Sequence, residues 1–138
     1  MSIHWALLER FDIRDEGTGE LYLRRWRIVQ TPWFGLYLHK IASRDKDRDP
    51  HDHPWSFVSL VLRGGYDEYR PGIGIMARGW LSLAFRRAND AHTILRLHRT
   101  PTWTLVAVGR RKRIWGFHTR TGWVDWRRYL GLPGEAKP

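Results

Sequence analysis

The chain has 138 residues, 42% of them hydrophobic and 28% charged, and its net charge at neutral pH is +10. It contains no cysteine, which excludes disulfide bonds, thiolate metal ligands and a cysteine nucleophile. Its apolar runs are too short to span a membrane, and its first residues do not have the pattern of a secretory signal. We therefore expect one domain over residues 1–138, located in the cytoplasm.

Short strands separated by turn residues dominate the sequence. Residues 3–12 fit either a short helix or an edge strand, and residues 15–19 have the composition of a turn. Alternating patterns and short apolar runs predict strands over residues 21–29, 33–42, 55–62, 66–70, 76–78, 80–86, 92–97, 102–108 and 113–118. Residues 123–130 are expected to end in one helical turn, and residues 131–138 to form a loose tail. This succession, with almost no helical periodicity, indicates an all-β sandwich or barrel.

Glycine, proline and charge mark the connections between these strands. The pair Gly64 and Gly65 predicts a hairpin turn, because glycine readily adopts the positive φ angles of tight turns. Residues 71–74 predict a second turn, and residues 109–112 another hairpin. The highly charged residues 43–50 predict a solvated surface loop.

Directly after the charged loop, His51 and His53 stand two residues apart. Side chains alternate along an extended chain, so both imidazoles point to the same side and can share one metal ion. Pro54 cannot donate a ladder hydrogen bond, which places the pair at a strand entry or a bulge, where side chains are aimed into sites.

A metal site needs further ligands. The candidates are the other histidines and the nearby carboxylates, namely His39, His92, His98, His118, Asp52, Asp67 and Glu68. Counting back from the predicted hairpin places Glu68 opposite Ser59, on the face of His51 and His53. His92 begins a predicted strand after a loop of small residues, which suits a side chain that points into a barrel mouth.

Arginine supplies most of the 24 basic side chains and can bind carboxylates or phosphates through two parallel hydrogen bonds. Arg24, Arg25 and Arg27 lie on alternating faces of one predicted strand, where each either faces solvent or meets an anionic substrate in the barrel. A second group is either solvated surface or a phosphate-binding patch with aromatic platforms for single-stranded bases. It comprises residues 110–113 with Arg86, Arg87, Arg127, Arg128, Trp103, Trp115, Trp123 and Trp126.

The order of these motifs resembles the cupin superfamily, and in particular a small single-domain cupin-like family of bacteria and their phages. The resemblance is carried by Tyr37-Leu38-His39, His51-Asp52-His53-Pro54-Trp55, Gly64-Gly65-Tyr66-x-Glu68, His92 and Trp115-Gly116-Phe117. The glutamate that usually follows the first cupin histidine pair is missing, because Phe57 and Val58 occupy those positions. Glu68 would be its natural substitute.

The resemblance implies a single double-stranded β-helix, a jelly-roll-like barrel with little helix. It also implies one divalent metal held by His51, His53, His92 and Glu68. Glu68 would be either the fourth ligand or the catalytic acid or base. Fe(II) is the first expectation, while Mn, Ni and Zn also suit nitrogen and oxygen ligands. The residues expected to line the substrate pocket are Trp55, Phe57, Tyr66, His39 and Arg25.

The function expected from this set is that of a mononuclear metal-dependent enzyme of oxygenase type, acting on a small, anionic substrate. A non-catalytic cupin that binds a small ligand or serves in regulation is one alternative, and a basic nucleic-acid-binding protein is another. No membrane partner is expected. An exposed N-terminal edge strand would allow pairing with a second copy in a homodimer.

Overall fold

Strands make up most of the computed structural model, which describes residues 9–15, 18–47 and 49–131. In this part of the chain they are β1 (Glu9–Arg14), β2 (Leu21–Gln30), β3 (Gly35–Ile41), β4 (Phe57–Arg63), β5 (Tyr66–Arg70), β6 (Gly74–Arg78), β7 (Leu83–Arg86), β8 (Thr93–Leu97), β9 (Thr102–Val108), β10 (Gly116–Thr119) and β11 (Gly122–Asp125). One short helix, α1 (Trp126–Tyr129), follows them. The helices within the described ranges are too short and too polar to cross a membrane.

The strands form three antiparallel sheets. The largest has the order β1-β2-β3-β9-β4-β7, the second the order β6-β5-β8, and β10 pairs with β11. The all-β, jelly-roll prediction with little helix is confirmed, and so is the single helical turn near residue 126. The side chain of Asp125 caps that turn by accepting a hydrogen bond from the backbone N–H of Arg127 at 2.8 Å.

The core lies between the two larger sheets. Leu23, Ile41 and Val61 of the six-stranded sheet pack against Tyr66 and Ile94 of the three-stranded sheet. Residues of this size contribute about 1.5–3 kcal/mol each when their side chains are fully buried. Alternate positions of each strand face this interior, which explains the period-2 pattern in the sequence. A second buried cluster on the six-stranded sheet contains Tyr37, Phe57, Val106 and Val108.

The predicted hairpin at Gly64 and Gly65 is wrong. β4 pairs with β7 and β9, whereas β5 pairs with β6 and β8, so the glycines carry the chain from one sheet to the other. Gly64 has a φ of 82°, and a Cβ there would lie 2.6 Å from the Oγ1 atom of Thr102. Glycine is required because the backbone passes so close to β9. The sequence showed a tight turn but not which strands it joins.

Of the other two predicted turns, one joins strands that pair and the other joins strands of different sheets. Residues 71–73 join the paired strands β5 and β6, within the predicted turn. The predicted hairpin at residues 109–112 lies in the connection from β9 to β10, which belong to different sheets, so it is also wrong. β7 begins three residues later than predicted, after Leu81, whose φ of 61° is incompatible with an extended strand. β10 likewise begins at Gly116 rather than at residue 113.

At the N-terminus, β1 pairs with β2 at the edge of the six-stranded sheet. Of the two predicted alternatives, a helix or an edge strand, the edge strand is therefore the correct one from Glu9 onward. Residues 3–8 of that prediction, two residues of the predicted turn at 15–19 and the predicted tail at 132–138 lie outside the described residues.

The charged connection at residues 43–50 is not uniformly solvated. Asp45 is 7% exposed, and its carboxylate accepts hydrogen bonds from the Tyr22 hydroxyl and from the Ile94 backbone N–H. The surface-loop prediction is therefore wrong at this residue, because two partners distant in sequence bury it.

Candidate metal centre

His51, His53 and His92 are held together by backbone pairing. His51 and His92 donate their backbone N–H groups to each other's carbonyl oxygens, both at 3.0 Å. The backbone N–H of His53 donates to the carbonyl of Ala88 at 2.9 Å. The segment that precedes β4 is thereby fixed against the loop that leads into β8. The third histidine comes from a stretch of chain about forty residues away in the sequence.

The three imidazoles form a nearly equilateral triangle. Ring centroids are separated by 5.1 Å between His51 and His53, and by 4.9 Å from each of them to His92. One nitrogen from each ring lies within 4.8 Å of the other two. Because a single ion can contact all three nitrogens after small side-chain adjustments, the arrangement suits a metal with three nitrogen ligands and open positions.

The electrostatics of the site favour neutral rings at His51 and His53. Burial lowers the pKa of His51 to about 4, with a further contribution from His92 and an opposing one from Asp45. Burial, followed by the neighbouring His92 and His51, lowers the pKa of His53 well below its usual value. Neutral imidazole is the form that binds metal, so neither ring must lose a proton at neutral pH.

Carboxylates lie behind two of the three rings. The Nδ1 atom of His92 is 2.8 Å from the Oε1 atom of Glu68, and the Nδ1 atom of His51 is 3.8 Å from the Oδ2 atom of Asp45. A carboxylate at Nδ1 of a histidine leaves Nε2 available as a ligand atom. The Nδ1 atom of His53 is buried without a hydrogen-bond partner among the described residues, which costs free energy unless a ligand compensates it. The donor set therefore fits a divalent metal.

Glu68 is brought to His92 but not into the triangle of ligand atoms. Its carboxylate is 1% exposed and accepts hydrogen bonds from Arg86 at 3.1 and 2.6 Å and from Arg78 at 3.1 Å. Burial alone would raise its pKa, but the hydrogen bonds from His92 and Arg86 outweigh this and hold the pKa well below the usual range. Both carboxylate oxygens are thus engaged by arginine and by the imidazole.

Asp52, between the two paired histidines, faces the opposite way and is fully buried. Its carboxylate accepts hydrogen bonds from the Gly116 backbone N–H at 2.8 Å and from the Trp123 indole at 3.0 Å. It also contacts His118 at 2.8 Å and Arg113 at 2.6 Å. Sequence reasoning counted Asp52 among candidate ligands. The same alternation that aligns His51 with His53 predicts that Asp52 points away from them, and in the structure it anchors their segment to β10 and β11.

The residues expected to line the substrate pocket lie in different parts of the structure. Phe57 lies 4.6 Å from His53 between ring centroids, and Trp55 packs on the cluster that contains Phe57. His39 accepts a hydrogen bond at 3.1 Å from the Nε atom of Arg25. Burial, together with the nearby arginine, lowers the pKa of His39 to about 3. Tyr66, in contrast, is a core residue between the two larger sheets, and burial raises its pKa to about 12.

The remaining candidate ligands lie elsewhere. His98 pairs with Asp67 at 2.7 Å, and Asp67 also binds Arg96. His118 is bound to Asp52.

Several residues of the predicted nucleic-acid patch form contacts within the fold. Trp103 stacks on Trp26 at 5.5 Å, and Trp115 stacks on Trp126 at 5.4 Å. Trp123 donates to Asp52. Two of the proposed arginines, Arg86 and Arg113, form salt bridges with buried carboxylates. These contacts engage part of the predicted patch, whereas Trp123 remains 43% exposed.

No protein-family model and no curated protein matches the sequence. Solved structures match it in fold. The polyketide cyclase RemF from Streptomyces resistomycificus aligns with a TM-score of 0.66 and 16% identity, over 96% of this chain and 94% of that protein. A cupin-2 domain from Rhodospirillum rubrum aligns with a TM-score of 0.66 and 11% identity, over 88% and 82% of the two chains.

Fe(II)-HppE with the alternative substrate (S)-1-HPP aligns with a TM-score of 0.56 and 16% identity, over 73% of this chain and 56% of that one. At such identities the likeness concerns the fold. It agrees with the antiparallel sheets of this chain. The chain has the cupin fold.

Proposed function

We propose that this protein is a mononuclear metal-dependent enzyme of oxygenase type that acts on a small molecule. The observation that carries the proposal is the convergence of His51, His53 and His92, whose ligand atoms lie within 4.8 Å of one another. Support comes from the unpartnered Nδ1 atom of His53 and from the carboxylates behind the other two rings. Such carboxylates commonly orient metal-binding histidines.

Fe(II) is the metal we propose, because three imidazole nitrogen donors suit it and because Fe(II)-HppE shares the fold. Mn, Ni and Zn are compatible with the same donors. When bound, the metal would supply open coordination positions at which a small substrate and dioxygen can meet.

The surrounding residues have defined tasks in this proposal. Glu68 accepts the Nδ1 proton of His92 in a hydrogen bond and so fixes the ring with Nε2 toward the metal position. Its engagement with Arg86 and Arg78 supports this orienting role over that of a fourth ligand or of an acid–base catalyst. Asp52 fixes the backbone between the paired histidines, and Phe57 covers His53 and helps to exclude water.

Metal analysis tests the proposal directly. Protein purified without chelator and supplied with Fe(II) anaerobically is expected to hold one equivalent of metal, measured by mass spectrometry of the dissolved metal. The double variant His51→Ala, His53→Ala should lose it. His98→Ala is the matched control, because His98 is partly exposed and pairs with Asp67 away from the triangle. Equal metal content in the double variant and the wild type would exclude this site.

Oxygen consumption separates catalysis from binding alone. The iron-loaded protein is expected to consume dioxygen when a suitable small acid is added, and the double variant should not. A protein that keeps its metal but consumes no dioxygen with any of a broad set of small acids would support the non-catalytic ligand-binding alternative.

A further inference from the structure

Arg25 is a partly buried cation without a counter-ion. No carboxylate of the described residues lies within 4.0 Å of it, whereas its strand neighbours Arg24 and Arg27 pair with Asp12 and Glu9. Burial lowers the pKa of Arg25, which means that the charged guanidinium has lost favourable hydration. A cation in this position is costly unless a partner arrives.

The guanidinium is held in a defined orientation. Its Nε atom donates to the Nε2 atom of His39 at 3.1 Å, and its Cζ atom lies 5.0 Å from the centre of the Tyr37 ring. The lowered pKa of His39 keeps that ring neutral and therefore able to accept. The two terminal NH2 groups of Arg25 have no hydrogen-bond partner among the described residues. This leaves the edge of the guanidinium that binds planar anions in a bidentate manner.

Arg25 is separated from the histidine triangle by one layer of side chains. Tyr37, under the guanidinium, packs in the same cluster as Phe57, and Phe57 contacts His53. The guanidinium and the triangle are thus linked through two buried aromatic side chains.

We propose that Arg25 binds the anionic group of the substrate, a carboxylate or a phosphate, through its two terminal NH2 groups while His39 holds its Nε atom. The inference rests on the proposed function for the position of the metal, and it defines the substrate class as small monoanionic or phosphorylated molecules. His39 acts as a positioning residue, since it touches Arg25 and not the anion.

Titration calorimetry with propionate and with methylphosphonate tests this, because the two probes distinguish a carboxylate from a phosphate-like group. Both are titrated into the wild type, with and without Mn(II), and into Arg25→Gln and Arg25→Lys. Arg24→Gln is the matched control, because it removes the same charge from the preceding residue, whose side chain pairs with Asp12. We expect at least one probe to bind the wild type and the control equally, and to bind both Arg25 variants about tenfold more weakly or worse.

The outcomes are separable from those of the metal proposal. Absence of binding to the wild type, unchanged binding in Arg25→Gln, or an equal loss in Arg24→Gln would each overturn the inference. The metal-free titrations decide the question for Arg25 even if no metal binds. If Arg25→Gln does not fold, Arg25→Lys decides, because lysine keeps the charge but cannot offer two parallel N–H donors. Metal content is expected to be unchanged in all three variants.

Discussion

Two arginines near the site, Arg86 and Arg25, differ in how their charge is compensated. Arg86 is 4% exposed and forms two hydrogen bonds with Glu68, a carboxylate that also binds Arg78 and His92. Arg25 is only partly buried and has a neutral histidine as its hydrogen-bond partner. Arg86 therefore has a carboxylate as its counter-ion, whereas Arg25 has none among the described residues.

The difference distinguishes a charge that stabilises the fold from a charge that is available to bind a ligand. A buried ion pair contributes little net stability, but removing one partner leaves an unpaired buried charge and is strongly destabilising. An unpaired cation near an open edge is tolerated because water still reaches part of it, and its cost is recovered when an anion binds. The same residue type therefore has opposite consequences at Arg86 and at Arg25.

Arg86→Met should show the largest effect on stability. It removes two hydrogen bonds from the buried carboxylate of Glu68, so we expect the free energy of unfolding to fall by about 3–5 kcal/mol. Urea unfolding followed by tryptophan fluorescence measures this. A loss below about 1 kcal/mol would show that Arg78 and His92 suffice to compensate Glu68.

Glu68→Gln should weaken metal binding. The amide can still contact His92 but no longer provides a negative charge behind the ring, and loss of such partners typically costs about 10–100-fold in metal affinity. Competition with a chromophoric chelator gives the affinity. Asp67→Asn is the control, because Asp67 is adjacent in the chain but binds His98 and Arg96. Complete loss of metal in Glu68→Gln, with an intact fold, would instead favour direct ligation.

Arg25→Met should show the smallest effect on stability and serves as the counterpart of Arg86→Met. Because no carboxylate depends on Arg25, the change in the free energy of unfolding should stay within about 1 kcal/mol, in either direction. The same urea titration compares the two variants. A loss as large as that of Arg86→Met would mean that Arg25 has a structural role after all.

Much of the fold could be predicted because alternation is local. The strands that became β2, β3, β4, β5 and β9 were predicted with boundaries close to those observed, since each presents one buried face. Strand pairing was not predictable from turn residues. The expectation that Glu68 faces the paired histidines relied on a hairpin that the fold lacks. Glu68 meets His92 because β5 pairs with β8, which begins directly after that histidine.

The supporting residues of the site were also hidden from the sequence. Asp45 looked like one charge among many in a polar loop, but Tyr22 and Ile94 bury it. Asp52 looked like a ligand candidate, but Gly116 and Trp123 bind its carboxylate from the other side. Each of these contacts joins residues at least twenty positions apart, and no local pattern indicates which distant donor a carboxylate will meet.

The sequence by itself determined that the chain is built of short strands and that His51 and His53 share one face, because both follow from the two-residue repeat of extended backbone. Only the tertiary structure decided that His92 completes the triangle, that Glu68 is bound by arginine, and that Arg25 keeps a free edge. The reason is physical. Local periodicity sets which way a side chain points, whereas its charge compensation depends on sheet pairing between distant segments.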